Sequence, residues 1–442
     1  SGQVRSGGYK IYTSFDQNIQ KRLQTAVKSN LPANSGLQGA AVCIDNSTQM
    51  VIAIVGGRSE NGEYNRGFLM ERNPGSAIKP LLDYGPALNE GVITADSIIR
   101  DEKVDFHGYS PKNADLSYRG DMIAREALAR SVNTVAVKLL NQTGIKTAFP
   151  YLAKLHFSSL CYADTTILST GLGGFTYGVK VVDMAKGYAT LANGGRYSSN
   201  TCLRQIKRED GSSIYRSDKD TEEVYNKDTA YILTDMMQGT FREDYGTAHK
   251  LYDGKQYYAG KTGTTNDNKD AWFCGYSKYY TTAVWCGYDM PQEIESDLVK
   301  AAGNTWHDFM EALHESLQEK DFESYYGYDD DDDDDDDDDS QETTTAEETT
   351  TAAEETTTPE VQTTTVKEPA RETTTAAPQE TTTKPEETTT HKKEEETTTE
   401  KKAEETTSQI VTTAPQISTS ASDEKKTDEI VTTLPADAMG NT

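Results

Sequence analysis

The apolar residues of this chain change period several times before residue 320 and then almost vanish. Residues 9–13 read as a short strand. Ile19, Leu23 and Val27 follow at helical spacing behind Ser14 and Asp16, either of which can cap a helix. Two apolar runs, 40–44 and 50–55, flank Asp45-Asn46-Ser47-Thr48, which predicts a β-hairpin ended by Gly56-Gly57. A polar loop leads to a helix opening near Ser76, with Pro80 in its first turn, where the missing N–H costs nothing. Residues 120–141 read as a second helical stretch through Ile123, Ala127, Leu128, Val135, Val137 and Leu139. Residues 179–193 are a third, closed by Gly194-Gly195, and 229–240 a fourth. A strand entering at Tyr257 runs into a Gly/Thr turn at 260–265. Two aromatic, β-branched strands follow at 271–276 and 282–288, then a helix over 305–319.

This order implies an α+β fold: a central, mainly antiparallel five-stranded sheet drawn from both ends of the sequence, with helices on both faces. Residues 1–38 form a linker strand and first helix, and 39–320 the main domain. Residues 321–442 are a tail. Asp329 opens a run of eleven aspartates, and the 103 residues after it contain no Phe, Trp, Tyr or Cys and repeat Glu-Thr-Thr-Thr at uneven intervals. Such a segment buries too little apolar surface to offset its conformational entropy, so it is expected to be disordered, a solvated and conceivably O-glycosylated spacer. The aspartate run lacks the carbonyls and turn glycine of a specific Ca²⁺ loop.

Charge separates the two parts. The net charge of −28 comes mostly from residues 329–442, with 33 acidic against 9 basic residues; the first 328 carry 39 against 35. A near-neutral body gives no support to a nucleic-acid partner. No run of 18 apolar residues occurs, and the Ser-Gly-Gln start suggests a portion of a longer protein. Cys43, Cys161, Cys202, Cys274 and Cys286 have no metal-ligand spacing and read as free thiols. A turn near Lys278-Tyr279 would put Cys274 and Cys286 on opposite faces of the sheet. His107, His156, His249, His307, His314 and His391 form no pattern and read as structural or exposed. No cofactor or metal is expected.

The candidate chemistry begins with Ser76 and Lys79. At i and i+3 of a helix they share a face, so the amine can reach the hydroxyl. A lysine whose pKa is lowered by burial or by a second cation can take a serine proton, and free N–H groups at a helix start can stabilise an oxyanion. Spacing alone is weak: Ser422-Asp423-Glu424-Lys425 in the tail fits it too. A lone serine there is more often a cap. Ser131-Val132-Asn133 adds a second hydroxyl and an amide, though Ser198-Ser199-Asn200 has the same spacing. Lys261-Thr262-Gly263-Thr264 occurs once, joining a cation, hydroxyls and a glycine that lets a ligand approach the backbone.

In this order the three segments resemble the S-x-x-K, S-x-N and K-T-G set of penicillin-binding proteins and serine β-lactamases. The flanks sharpen the resemblance to the transpeptidase domain of class A penicillin-binding proteins: Gly7-Gly8-Tyr9-Lys10-Ile11-Tyr12-Thr13, Tyr64-Asn65-Arg66, Arg72-Asn73-Pro74-Gly75, Arg125-Glu126-Ala127-Leu128, Ala192-Asn193-Gly194-Gly195 and Asp270-Ala271-Trp272-Phe273. The resemblance implies that Ser76 attacks a D-Ala-D-Ala stem peptide, with Lys79 as proton acceptor and Ser131 as relay. It gives Asn133 the substrate amide, Lys261 the polarisation of Lys79 and Ser131, and Thr262, Gly263 and Thr264 the substrate carboxylate and groove. Backbone N–H groups of Ser76 and Thr264 would form the oxyanion hole, and β-lactams would acylate the same serine.

The resemblance further implies a bacterial, extracytoplasmic enzyme working on the cell wall. It implies a parent chain with a membrane anchor and a glycosyltransferase domain, neither of which lies in these residues. The tail would then be a wall-spanning spacer or a cation-binding brush. A D,D-carboxypeptidase or a β-lactam-sensing receptor domain would carry the same motifs. A serine β-lactamase fits less well, because no Glu-x-x-Leu-Asn segment lies between the second and third motifs.

Overall fold

The computed structural model describes residues 7–323 except 60, 61, 63, 218 and 219. The expectations for the aspartate run and the Thr-rich tail lie outside these residues. Strand β1 (Lys10–Thr13) leads to helix α1 (Gln17–Ser29), whose N–H groups at Asn18 and Ile19 are capped by Asp16 Oδ1 at 2.8 and 2.9 Å. The predicted hairpin is β2 (Gln38–Asp45) and β3 (Met50–Val55). A continuous helical run then changes pitch twice: a 3₁₀ turn at Gly75–Ile78, a π-pitch segment at Pro80–Tyr84 and an α-turn at Gly85–Asn89. Pro86 has no N–H to give, and the Gly85 N–H reaches back five residues to Pro80 O. Such widened turns are frequent at functional sites.

The stretch expected to be one helix at 120–141 is three elements. Strand β4 (Ile98–Asp101) pairs with β5 (Gly120–Ile123), followed by α2 (Ala124–Ala129) and α3 (Asn133–Thr143). Between the helices Ser131 sits at φ 60°, the left-handed region, which no helix interior accepts. The apolar spacing across 123–139 comes from two helices that bury against the same core, so periodicity alone cannot show the break. Helix α4 (Val181–Ala192) ends at Asn193, with Gly194 and Gly195 at φ 63° and 83°. Strand β6 (Leu203–Lys207) pairs with β1 on one side and β7 (Ser213–Arg216) on the other, a separate three-stranded sheet that the pattern did not predict. Their alternation is half exposed and carries charges.

Helix α5 (Lys227–Arg242) precedes three strands, β8 (Ala259–Thr264), β9 (Asp270–Tyr276) and β10 (Tyr280–Gly287), and helix α6 (Ala301–His314). The Lys-Thr-Gly-Thr segment is strand, not turn. The main sheet has the order β8-β9-β10-β2-β3 and is antiparallel throughout. It is made from both ends of the chain, as expected. One face packs on the helical layer of Ile78, Leu81, Leu139, Tyr188 and Leu233; the other packs on α1 and α6 through Leu23, Val27, Trp306 and Phe309. Cys274 belongs to the first layer and Cys286 to the second, so they cannot pair, and all five cysteines are free. Cys161 and Cys202 are only half-buried.

A buried ion pair ties the approach to Ser76 onto the sheet. Arg72 Nε lies 2.6 Å from Asp270 Oδ1, and the guanidinium stands 5.4 Å over Trp285, whose indole N–H donates to the same Asp270. Both side chains are under a tenth exposed. Removing one partner of such a pair strands the other charge at a cost of about 3–5 kcal/mol. Arg72→Met is therefore expected to lower unfolding free energy by that amount in urea titration, and a loss under 1 kcal/mol would show that the pair is not held dry.

Candidate active site

Three elements converge at one end of the sheet. Strand alternation turns Lys261 and Gly263 of β8 towards the helical layer that carries Ser76 and Lys79. The approach is close because glycines leave room on both sides. A Cβ at Gly75, which has φ 54°, would lie 2.4 Å from Thr264 O; one at Gly263 would lie 2.3 Å from Pro74 O and 2.8 Å from Ala77 Cβ. The seam between the Ser76 turn and β8 is backbone against backbone.

Ser76 is partly exposed, whereas the Lys79 and Lys261 side chains are completely buried. Lys79 Nζ is 2.8 Å from Ser131 O, 2.7 Å from Asn133 Oδ1 and 3.3 Å from Ser131 Oγ. The amine thus binds the Ser-Val-Asn segment rather than the Ser76 hydroxyl that its spacing suggested. The left-handed Ser131 turns its carbonyl and hydroxyl to the same amine. Burial brings the Lys79 pKa down to about 7, opposed by the carboxyl of Asp83. At that value two N–H bonds, to Ser131 O and Asn133 Oδ1, can coexist with a free lone pair. Lys261 is driven well below its ordinary value by burial and by the charge of Lys79. Its Nζ donates to Thr262 O at 3.2 Å.

The remaining expected residues lie at the strand's edge. Thr262 Oγ1 donates to Thr247 Oγ1 at 3.0 Å, and Thr264 is exposed with its backbone against Gly75. Beside them a groove of about 470 Å³ runs between Asn73, Tyr109, Thr176, Tyr177 and Thr265. Among the described residues no group of three or more His, Cys, Asp or Glu side chains could hold a metal, and no helix is long and apolar enough to cross a membrane.

Two buried groups were not anticipated from sequence. Asp83, one turn beyond Lys79, is fully buried, with neither carboxyl oxygen hydrogen-bonded. Burial raises its pKa well above the usual carboxylate range, opposed by the charge of Lys79. Asn113 lies against the start of α3. An Asp four residues after the lysine was a visible signal for the first; nothing local marks the second.

A family profile for the "Penicillin binding protein transpeptidase domain" matches residues 39–311, well over half of the chain. The chain belongs to that family. It is 35% identical over 289 residues to Penicillin-binding protein 4 of Bacillus subtilis (strain 168), covering 65% of this chain and 46% of that protein. To Penicillin-binding protein 1A of Clostridium botulinum (strain Hall) it is 31% identical over 338 residues, 72% of this chain and 41% of the relative. The chain thus spans less than half the length of these relatives. In structure it is similar to PonA1 of Mycobacterium tuberculosis in complex with penicillin V, with a TM-score of 0.65 at 23% identity over 73% of this chain and 90% of that one. The α+β transpeptidase fold with its antiparallel five-stranded sheet is therefore the fold of the penicillin-binding proteins.

The glycine seam yields a direct test. Gly263→Ala must part the Ser76 turn from β8 to make room for one methyl. Overpacking of this kind costs about 1–3 kcal/mol. The variant is expected to melt lower and, in its crystal structure, to show β8 displaced from Gly75; an unmoved strand with unchanged melting would refute the close packing.

Proposed function

We propose that this chain is the D,D-transpeptidase domain of a class A penicillin-binding protein, cross-linking peptidoglycan through a Ser76 acyl-enzyme. The observation that carries the reading is the buried Lys79 amine, bonded to Ser131 and Asn133 beside a partly exposed Ser76 and a second buried lysine. In this scheme Ser76 Oγ attacks the carbonyl of the penultimate D-Ala and its proton passes to Lys79 Nζ. The tetrahedral intermediate then collapses, the C–N bond to the terminal D-Ala breaks, and the proton moves through Ser131 Oγ to the leaving amine. An amine from a second stem peptide attacks the ester and Ser76 recovers its proton. Asn133 orients the donor peptide, Lys261 keeps Lys79 and Ser131 polarised, and Thr262 and Thr264 bind the terminal carboxylate, with Gly263 leaving room for the substrate beside the strand. Backbone N–H groups of Ser76 and Thr264 face the oxyanion, where one donor is worth roughly 3–4 kcal/mol. The enzyme would act outside the cytoplasm, held at the membrane by its parent chain, with residues 39–320 as the catalytic unit and β-lactams as covalent inhibitors.

Fluorescent penicillin is expected to label Ser76, to survive denaturation, and to persist for many minutes; Ser76→Ala abolishes the label. Absence of labelling would overturn the proposal, and rapid loss would indicate a β-lactamase. A D-Ala-D-Ala peptide with and without an acceptor amine, followed by mass spectrometry, separates transfer from a carboxypeptidase's hydrolysis.

The pH dependence follows from Lys79. The base is the free amine, so the fraction able to act grows as pH rises through about 7 and saturates above it. Acylation rate is expected to fall about tenfold per pH unit below that midpoint. A flat profile from pH 5 to 8 would remove Lys79 as the base.

A further inference from the structure

The Ser-Val-Asn segment is aimed from outside, by a loop to which the reaction scheme assigns no part. Helix α3 begins at Asn133 behind Val132, which offers no capping side chain. The cap comes from Asn113, in the loop joining β4 to β5: its Oδ1 accepts from the N–H groups of Asn133 and Thr134 at 2.9 and 3.3 Å. Its Nδ2 donates to Asp101 Oδ1 and to Ser117 O, both at 2.8 Å. Asp101 is itself fixed by the Thr134 hydroxyl and by the Arg119 N–H. Asp101, Asn113 and Thr134 are all buried. One residue earlier, Lys112 O accepts from Asn133 Nδ2 at 2.8 Å, which turns the Asn133 amide so that its oxygen faces Lys79 Nζ at 2.7 Å. Residues 112 and 113 therefore fix both the backbone and the side chain of Asn133.

The chemistry at position 113 is demanding. It needs one acceptor for two helix N–H groups and two donors for a carboxylate and a carbonyl, all at a buried point. A primary amide supplies this set. Alanine would leave the two helix N–H groups without this acceptor and take one donor from Asp101, and aspartate would set a second carboxylate against Asp101. The same loop carries Tyr109, which lines the groove with Asn73 and Thr265, so a peptide lying in that groove touches the loop that aims the amine.

We infer that Asn113 is a positioning residue for acyl transfer, acting through Asn133 to hold the Lys79 amine in register with Ser76 and Ser131. The inference rests on the proposed transpeptidase reading. Its test is the time course of fluorescent-penicillin acylation at several concentrations, which separates the non-covalent dissociation constant from the acylation rate constant. With the wild-type chain, failure to acylate overturns the enzymatic reading itself, not the role of Asn113. If the wild type acylates, Asn113→Ala is expected to lose about 100-fold in the acylation rate constant with the dissociation constant unchanged, the size of effect that a small misplacement produces. Thermal melting is recorded beside it, because a merely structural residue would lower melting without this split. An exchange variant keeps the test open should alanine unfold the loop. Asn113→Asp alone is expected to lose a similar factor, and Asn113→Asp with Asp101→Asn, which restores one donor facing one acceptor, to recover at least tenfold of it. Wild-type acylation in Asn113→Ala, a loss confined to the dissociation constant, or no recovery in the exchange variant would overturn the inference.

Discussion

Two fully buried lysine amines close enough to repel one another cannot both easily keep a proton, and much of this site can be read as a response to that constraint. Lys79 and Lys261 are wholly buried, and the charge of Lys79 lowers the pKa of Lys261 further. Burial alone disfavours the charged form, and the like-charge neighbour adds to it. Asp83 lies one turn beyond Lys79, but its oxygens find no donor and burial raises its pKa well above the usual carboxylate range. An ionised carboxylate without hydrogen bonds in that position would cost more than its attraction to a lysine out of bonding reach returns. Burial therefore weighs against the proton on both amines.

Keeping those amines dry requires tight packing, and glycine makes it possible. Gly75 and Gly263 let two stretches of backbone meet with no side chain between them, while the Arg72–Asp270 pair and Trp285 fasten the nucleophile turn to the sheet. The pitch changes between Gly75 and Asn89 belong to the same solution. They carry the chain from a tight turn at Ser76, through the lysine, to a widened segment accommodating Pro86. The geometry at Ser76 is thus imposed by neighbours remote in sequence.

The sequence made the sheet legible because its strands are short, apolar and bounded by clear turns: residues 40–55 and 271–288 could hardly be anything else. The three motifs were legible only together, since the first two each have a counterpart elsewhere in the chain that means nothing and the third is short. Three things were not legible. The break at Ser131 is invisible to periodicity, because the helices on either side bury the same face. The strands at 203–216 alternate weakly because their sheet is half exposed. Asn113 is separated by twenty residues from the helix it caps, and no local rule looks that far. The first error is one of backbone conformation and the other two are of tertiary context.

The main sheet closes only when β10, near the end of the folded region, pairs along β2, near its beginning: Tyr280 stands opposite Asp45 and Gly287 opposite Gln38. Until then the hairpin of β2 and β3 offers an open apolar edge with its natural partner still unmade. A chain emerging from synthesis or export therefore carries an unfinished sheet for most of its length, and Lys261 arrives late to a site whose other lysine has long been in place. Chaperoning of that waiting edge, rather than the chemistry of Ser76, becomes the vulnerable interval in the life of the protein.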